Sequence, residues 1–452
     1  MRKAYRLDEI DQATRLSEPV GPDHEFYTDF SGLRGAFEEK VIYRSLNVST
    51  AGSKFSYNHK ANQHNKSLVF LGGMRGTGKT SELLAYAQRL SGPECFFVVF
   101  CRLDEELNLN DMEYMDILIL QMEKLTQKLK QEKVKVNEGA LKSLAKWFED
   151  RIVEINRSVQ GELELEVGIG LEKKSIWEKL LGIYAELKAS VNTGIERSTS
   201  VRKVLKKNFI PFKDKFNEFV GEASLAVRKA GKAQDILFIV DGLEKTLTPA
   251  IRRSIIIDEA SRIQLIRANT LFILPIELMK ERQQLRQLTE FVCKFPNIKI
   301  QDRNGQDIPE AIRCLVQFVY RRIDPPLFGD NDNDELVKRM VHFSGGNPRE
   351  LLRIVSYANF FADEEKGVID RAALEKGLQK LAGETSEYLT SEDLQKLKEL
   401  KENNQNGQMT PYDATLDDLL EKAIIYEYDD GAYKRVNPVL ELSEIYLQRV
   451  GI

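Results

Sequence analysis

The string Gly73-Met74-Arg75-Gly76-Thr77-Gly78-Lys79-Thr80 constrains this chain more than any other feature. It spells G-x-x-x-x-G-K-S/T directly after the apolar run Ser67 to Leu71, and the following Ser81 to Leu90 places Leu83, Leu84, Ala87 and Leu90 on one helical side. A strand, a glycine-rich turn and a helix in that order predict a phosphate-binding loop. The glycines let the backbone curl until successive N–H groups converge on an anion, and the helix points its positive end at the same place. In this reading Lys79 bridges the β- and γ-phosphates of ATP or GTP. Thr80 offers its hydroxyl to Mg²⁺, which favours hard oxygen ligands. Gly73, Arg75, Gly76, Thr77, Gly78 and Ser81 complete the expected nucleotide contacts.

A loop of this type needs a second strand ending in an acid that holds Mg²⁺, and Ile236-Leu237-Phe238-Ile239-Val240-Asp241 supplies one. Glu244 is the nearest carboxylate beyond that strand and the expected group to orient or deprotonate water. Gly242 and Leu243 intervene, so the alternative is that Glu244 only pairs with a nearby base and turnover is slow. A third strand, Thr270 to Pro275, ends in Pro275 and Ile276 where a γ-phosphate sensor often sits. Asn269 before it and Glu277 after it are weak candidates. Further on, Gly345-Gly346-Asn347-Pro348-Arg349-Glu350-Leu351 opens a helix and puts Arg349 on its first turn. A guanidinium there can report whether ATP or ADP is bound.

Three segments, Gly73 to Ser81, Ile236 to Lys245 and Gly345 to Leu352, make the chain resemble the AAA+ ATPases of the origin-recognition branch and the related STAND ATPases, especially bacterial defence-associated members. The resemblance implies an α/β fold: a parallel five-stranded P-loop core with a helical lid bearing Arg349 and a nucleotide, ATP rather than GTP, held between them. It implies ring or filament assembly as a homo-oligomer, in which one subunit's arginine completes the neighbour's site. Arg252, Arg253, Arg262, Arg321 and Arg322 are candidates for that role. It also implies an antiviral-defence context. The expected organisation is a lead-in over 1–65, a core over 66–300 carrying a large helical insertion at about 130–232, a lid over 301–385 and a winged-helix domain over 386–452. The insertion follows from the long interval between the loop and the Asp241 strand, which exceeds what a compact core needs.

Within the insertion, Trp177, Leu180, Leu181, Tyr184 and Leu187 form an apolar stripe, read as packing on a neighbouring helix of the chain or as a partner interface. Glu162 to Val167 alternates acid and apolar residues as an edge strand does. Arg197 to Lys215 carries seven bases against one acid, either a solvated face or a DNA contact. At the C-terminus, helices precede Ile424 to Tyr428, Asp429-Asp430-Gly431 and Ala432 to Val436, a hairpin pattern that predicts the winged helix. Such modules often bind DNA. Fifteen acids against seven bases over 384–452 oppose a phosphate backbone, so a protein-contact or autoinhibitory role is favoured and only Lys434 and Arg435 suit DNA.

With 452 residues and a net charge of −4, several domains are expected and a general nucleic-acid coat is not. No apolar run reaches the roughly 20 residues a bilayer requires, and Met1 to Glu9 runs into charge without an apolar stretch. The expectation is therefore a cytoplasmic protein with no membrane span. The four cysteines lack C-x-x-C pairing and the four histidines are scattered, so neither disulfides nor zinc are expected. Three functions stay open: an ATP-driven switch acting on self-assembly or a protein effector or sensor, a DNA-engaged initiator, loader or transposition-type ATPase, and an ATP-binding scaffold with little turnover.

Overall fold

The computed structural model describes all residues except 1, 16–17, 36, 38, 53, 59–65, 161–174, 193–194, 330–332 and 452. The strands are β1 (Val48–Ala51), β2 (Lys54–Tyr57), β3 (Leu68–Gly73), β4 (Phe96–Arg102), β5 (Asp235–Asp241), β6 (Asn269–Pro275), β7 (Val292–Phe295), β8 (Ile425–Tyr428) and β9 (Tyr433–Val436). Five of them form one sheet in the order β4-β5-β6-β3-β7, and every neighbouring pair in it is parallel. This is an α/β fold with the parallel five-stranded sheet of a P-loop core. The all-apolar runs explain it. Ile236 to Val240 and Leu271 to Leu274 are buried along their whole length, as strands covered by helices on both faces must be.

The sheet order places the site. The chain leaves β3, crosses to the far edge to form β4, and returns through β5 and β6 before adding β7 on the other side of β3. The glycine-rich turn after β3 and the acid ending β5 therefore emerge at the same carboxyl edge, beside the point where strand order reverses. Open parallel sheets bind ligands there.

Helices Tyr114–Gln131, Glu138–Gln160, Ile176–Asn192, Ile195–Lys207 and Phe209–Lys229 intervene between β4 and β5. Their apolar faces merge with the sheet's core. Phe148, Tyr184 and Phe212 pack ring against ring, and Phe216 lies 6.3 Å from Phe238 of β5. Leu180, Tyr184 and Leu187 are buried within the chain, so the Trp177 stripe packs internally. Glu162 to Val167 lies outside the described residues.

A second core joins Pro309–Tyr320, Asn333–Phe343, Pro348–Phe360 and Arg371–Ser386. The lead-in is shared between the two halves. Ala4, Ile10, Ala13 and Phe30 enter this helical core, whereas Ile42, Tyr43 and Leu46 cover the sheet. The C-terminal segment comprises Ser391–Gln405, Ala414–Glu421, the antiparallel hairpin β8–β9 and Glu444–Arg449. Its Leu397, Leu416, Leu419 and Ile425 are continuous with the sheet's core. Among the described residues, no helix is long and apolar enough to cross a membrane.

Candidate functional site

β3 ends at Gly73, and the chain turns through Gly76 at φ +82° and Gly78 at φ +87° before the helix Lys79–Leu90 begins. Both angles belong to the left-handed region that glycine enters without penalty. At Gly76 space is limiting as well, because a Cβ there would lie 2.6 Å from Asn347 Oδ1 and 2.8 Å from Arg349 Cβ. Lys79 is buried, and its ammonium folds back to donate to the carbonyls of Gly73 (2.9 Å) and Met74 (2.6 Å). Burial lowers its proton affinity, Arg349 and Arg75 push the same way, and Glu244 and Asp241 oppose them. The Thr77 hydroxyl donates to the Met74 carbonyl at 3.1 Å and pins the turn from inside. Ser81 faces the lead-in, accepting from the Val20 N–H at 3.2 Å.

Asp241 is buried at the end of β5, where its Oδ2 accepts from the Thr80 hydroxyl at 2.8 Å. Burial, helped by the neighbouring Glu244 charge, pushes the carboxyl up to about 6. Gly242 at φ +101° then swings the chain into the short helical turn Leu243–Lys245. Asp241 Oδ1 and Glu244 Oε2 are buried with no hydrogen-bond partner among the described residues. Two orphaned carboxylate oxygens beside a threonine hydroxyl are the hard donor set a Mg²⁺ ion takes, so the residues fit the cation.

The helix Pro348–Phe360 closes the site from the other half. Asn347 caps it, accepting from the N–H groups of Arg349 (3.1 Å) and Glu350 (3.3 Å), while its own amide donates to the Arg75 carbonyl at 3.0 Å. The Arg349 N–H also donates to the Gly76 carbonyl at 3.3 Å. The Arg349 side chain is exposed and lines the cavity beside Arg75, Lys79 and Glu244. That cavity measures about 380 Å³. The lead-in forms its far wall through Pro19, Val20, Tyr27, Thr28 and Phe30, opposite Phe318 and Leu352. The Tyr27 and Thr28 hydroxyls are buried there without hydrogen-bond partners among the described residues. A cavity of this size, with apolar side chains and unspent hydroxyls on the lead-in side and Arg75, Lys79 and Arg349 at the loop, has the mixed lining that fits a nucleotide.

Arg34 is the residue that motif reasoning missed. It is buried beneath the loop, where its guanidinium donates to the carbonyls of Thr77 (2.9 Å) and Pro296 (2.8 Å), faces Glu82 at 3.6 Å and lies 4.0 Å from the centre of the Phe295 ring. The only available signal was its place in the Asp29 to Gly35 string.

No protein-family model matches the chain, and no curated protein is similar to it. Among solved structures, it is similar to a Walker-type ATPase of Pyrococcus abyssi, at 12% identity over 92% of this chain and 98% of that one, with a TM-score of 0.38. A likeness that remote carries no argument about the site.

The other candidates lie elsewhere. Asn269 stands at the opposite edge of the sheet, donating to the Ile236 carbonyl at 3.0 Å and accepting from the Ser67 N–H at 3.1 Å, so it does not sense a phosphate. Glu277 pairs with the buried Arg252, which also reaches Glu421 at 2.7 Å. Arg252 is thereby a clip between the core and the C-terminal segment and cannot reach into another subunit. Arg322 is buried too, donating at 3.0 Å to the carbonyls of Phe26 and Phe318 and lining this chain's own cavity. Arg253 pairs with Glu281, Arg262 with Glu259 at 2.5 Å, and Arg321 donates to the Glu25 carbonyl at 3.2 Å.

The basic stretch is largely neutralised. Arg202 is buried against Asp116 (2.8 Å) and Asp111 (2.6 Å), Lys206 meets Glu113 at 2.7 Å, Lys213 meets Asp214 at 2.5 Å and Lys215 meets Glu218 at 2.7 Å. Of the two readings of Arg197 to Lys215, the DNA contact loses most of its free charge. Lys434 is buried, donating to the Gly431 carbonyl at 2.9 Å, and Arg435 pairs with Gln301. Neither is the exposed DNA contact that the sequence suggested.

Proposed function

We propose that this chain is a Mg-ATP-dependent molecular switch whose C-terminal segment reads the state of the nucleotide site. One observation carries the reading. The hairpin β8–β9 touches both halves of the site: the Glu427 N–H donates to Met74 Sδ at 3.2 Å, and the Tyr428 hydroxyl donates to the Gly345 carbonyl at 2.5 Å. Met74 lies inside the phosphate loop, and Gly345 opens the turn that sets Arg349. A shift of the lid over the loop changes both contacts at once, so a ligand that favours one arrangement biases the hairpin.

The roles follow from the geometry. The loop from Gly73 to Thr80 receives the phosphates, and the Lys79 ammonium, which donates to the Gly73 and Met74 carbonyls, turns from them to the phosphate oxygens. Thr80 and Asp241 would hold Mg²⁺, whose contribution is to neutralise charge developing on the phosphates. Glu244 orients the attacking water and takes its proton, and Arg349 reports the γ-phosphate to the lid helix. The parallel sheet, the helical lid and the helix–hairpin C-terminus also support the resemblance to AAA+ and STAND ATPases. The segment released on closure engages a second copy of the chain or a protein partner.

The test is hydrogen exchange of β8–β9 and of Gly345 to Pro348 under Mg-ATP, Mg-ADP and buffer, with phosphate release measured alongside and Lys79→Ala as the blank. We expect exchange of the hairpin to differ between ATP and ADP in the wild type and not in the variant. An unchanged hairpin beside measurable turnover would leave an ATPase that is not this switch.

A further inference from the structure

We infer that Arg75 is a catalytic arginine supplied by the same chain, so that one copy completes its own site without a neighbour's guanidinium. This rests on the ATPase reading above and adds a residue and an assembly rule to it.

The argument starts from where Arg75 is held. Its Nη2 donates to the Glu244 carbonyl at 2.9 Å, and its own carbonyl accepts from Asn347 at 3.0 Å. The residue thus spans the acid-strand loop on one side and the lid turn on the other, with its side chain exposed at the mouth of the cavity next to Lys79 and Arg349. Lys79 feels the carboxylates of Glu244 and Asp241, and Arg349 those of Glu244 and Glu350, yet neither Asp241 nor Glu244 makes an ion pair within 4 Å among the described residues. Three cations kept this close repel one another unless an anion joins them. A guanidinium that stays charged and presents several donors in a fixed fork is the group that best matches a phosphate edge.

The chemistry has one place for it. Water adds to the γ-phosphorus while the bond to the β–γ bridging oxygen breaks, ADP leaves with that electron pair, and the water proton passes to Glu244. Charge grows on the bridging oxygen and on the γ-phosphate edge. Lys79 covers the side of the loop, where Thr80 and Asp241 would hold a Mg²⁺ ion to neutralise part of that charge, and Arg75, tethered to the Glu244 loop, covers the other side. The five arginines considered for a neighbour's site are otherwise occupied: Arg252 and Arg322 are buried in this chain, and Arg253, Arg262 and Arg321 are engaged by its own acids or carbonyls.

The experiment compares wild type, Arg75→Ala and Arg75→Lys at protein concentrations where light scattering reports a single chain. Affinities for Mg-ATPγS and Mg-ADP are measured by calorimetry, and phosphate release is followed across a roughly 100-fold dilution. A lost charged hydrogen bond corresponds to about 10- to 100-fold. We expect Arg75→Ala to lose about that factor in its preference for ATPγS over ADP, with ADP affinity nearly unchanged, and Arg75→Lys to recover part of it. The wild-type rate per chain stays constant on dilution. A rate per chain that falls on dilution, or an Arg75→Ala loss shared equally by ATPγS and ADP, overturns the proposal and leaves the ATPase reading intact. Failure of the wild type to bind either nucleotide overturns both.

Discussion

The Thr80 hydroxyl donates to Asp241 Oδ2 across 2.8 Å, joining the first turn of the loop helix to the end of a strand 161 residues away. That bond occupies one oxygen of a buried carboxylate and leaves the other without a partner among the described residues. Folding therefore places Asp241 where its charge is poorly solvated, as a cation site often does at some cost in stability.

Asp241→Asn is accordingly expected to stabilise the chain while abolishing Mg²⁺-dependent turnover. The Asp241 pKa rises from about 3.9 in the unfolded chain to about 6 in the folded one. A raised acid favours the folded state fully below the lower value and loses that benefit as pH rises through the upper one. Above pH 6 the buried charge costs on the order of 3 kcal/mol, which the amide avoids. Urea unfolding at pH 7.5 and pH 4 checks this. The variant is more stable at pH 7.5, and the gap closes toward pH 4. A variant that is less stable at pH 7.5 would contradict the argument. By the same linkage, Mg²⁺ affinity of the wild type declines below pH 6, approaching tenfold per unit, as protons compete for the carboxylate.

Much of this site was legible because it is written in contiguous strings. Gly73 to Thr80 and Ile236 to Asp241 each carry their own local reason for the turn or strand they form, and the sheet brings their ends together. Arg34, Tyr27 and Thr28 were not legible. Arg34 reaches Thr77 across 43 residues of chain and Pro296 across 262, and no local pattern encodes such a contact. Arg322 misled for the opposite reason. It sits beside Arg321 at a helix end, where an exposed pair is the ordinary reading, yet Phe26 and Phe318 enclose it. The basic count over Arg197 to Lys215 could not reveal that Asp111, Glu113 and Asp116 stand opposite.

Arg34 tests whether the lead-in is part of the site. Arg34→Ala removes donors from two carbonyls and leaves the buried Glu82 without its cation, a change that costs about 3–5 kcal/mol. Arg34→Lys keeps the charge but not the fork that reaches Thr77 and Pro296 together, so it recovers only part of the loss. Thermal melting with and without Mg-ADP separates the effects: both variants melt lower, and the nucleotide-induced rise shrinks with them. A full nucleotide-induced rise in Arg34→Ala would show that the loop keeps its shape without the brace.

The hairpin contact makes a kinetic prediction. Tyr428→Phe deletes the hydroxyl bonded to the Gly345 carbonyl and keeps the buried ring, removing about 1 kcal/mol from the arrangement in which the hairpin and the Gly345 turn are joined. If that joined state retains nucleotide, a fluorescent ADP analogue leaves the variant about fivefold faster in stopped flow. Glu427→Gln is expected to act the same way, since Lys294 holds its carboxylate at 2.7 Å and Tyr412 donates to it. Release at the wild-type rate in both would uncouple the C-terminal segment from the site.

The paired state of the basic stretch sets the last expectation. Arg202 is buried between Asp116 and Asp111, and burial pushes the Asp116 carboxyl up to about 6 even beside that guanidinium. Arg202→Ala should therefore act on folding, costing about 3–5 kcal/mol by stranding a buried acid, with no effect specific to DNA. Among the described residues, Lys203 and Lys207 are the exposed bases of the helix, Lys207 lying 3.4 Å from Glu154. Removing both as Lys203→Ala and Lys207→Ala is expected to leave turnover unchanged with or without double-stranded DNA. A true phosphate-backbone contact would instead show stimulation by DNA that collapses between about 50 and 200 mM salt and disappears in the double variant. That result would move the basic helix, rather than the C-terminal hairpin, to the centre of what the proposed switch acts on.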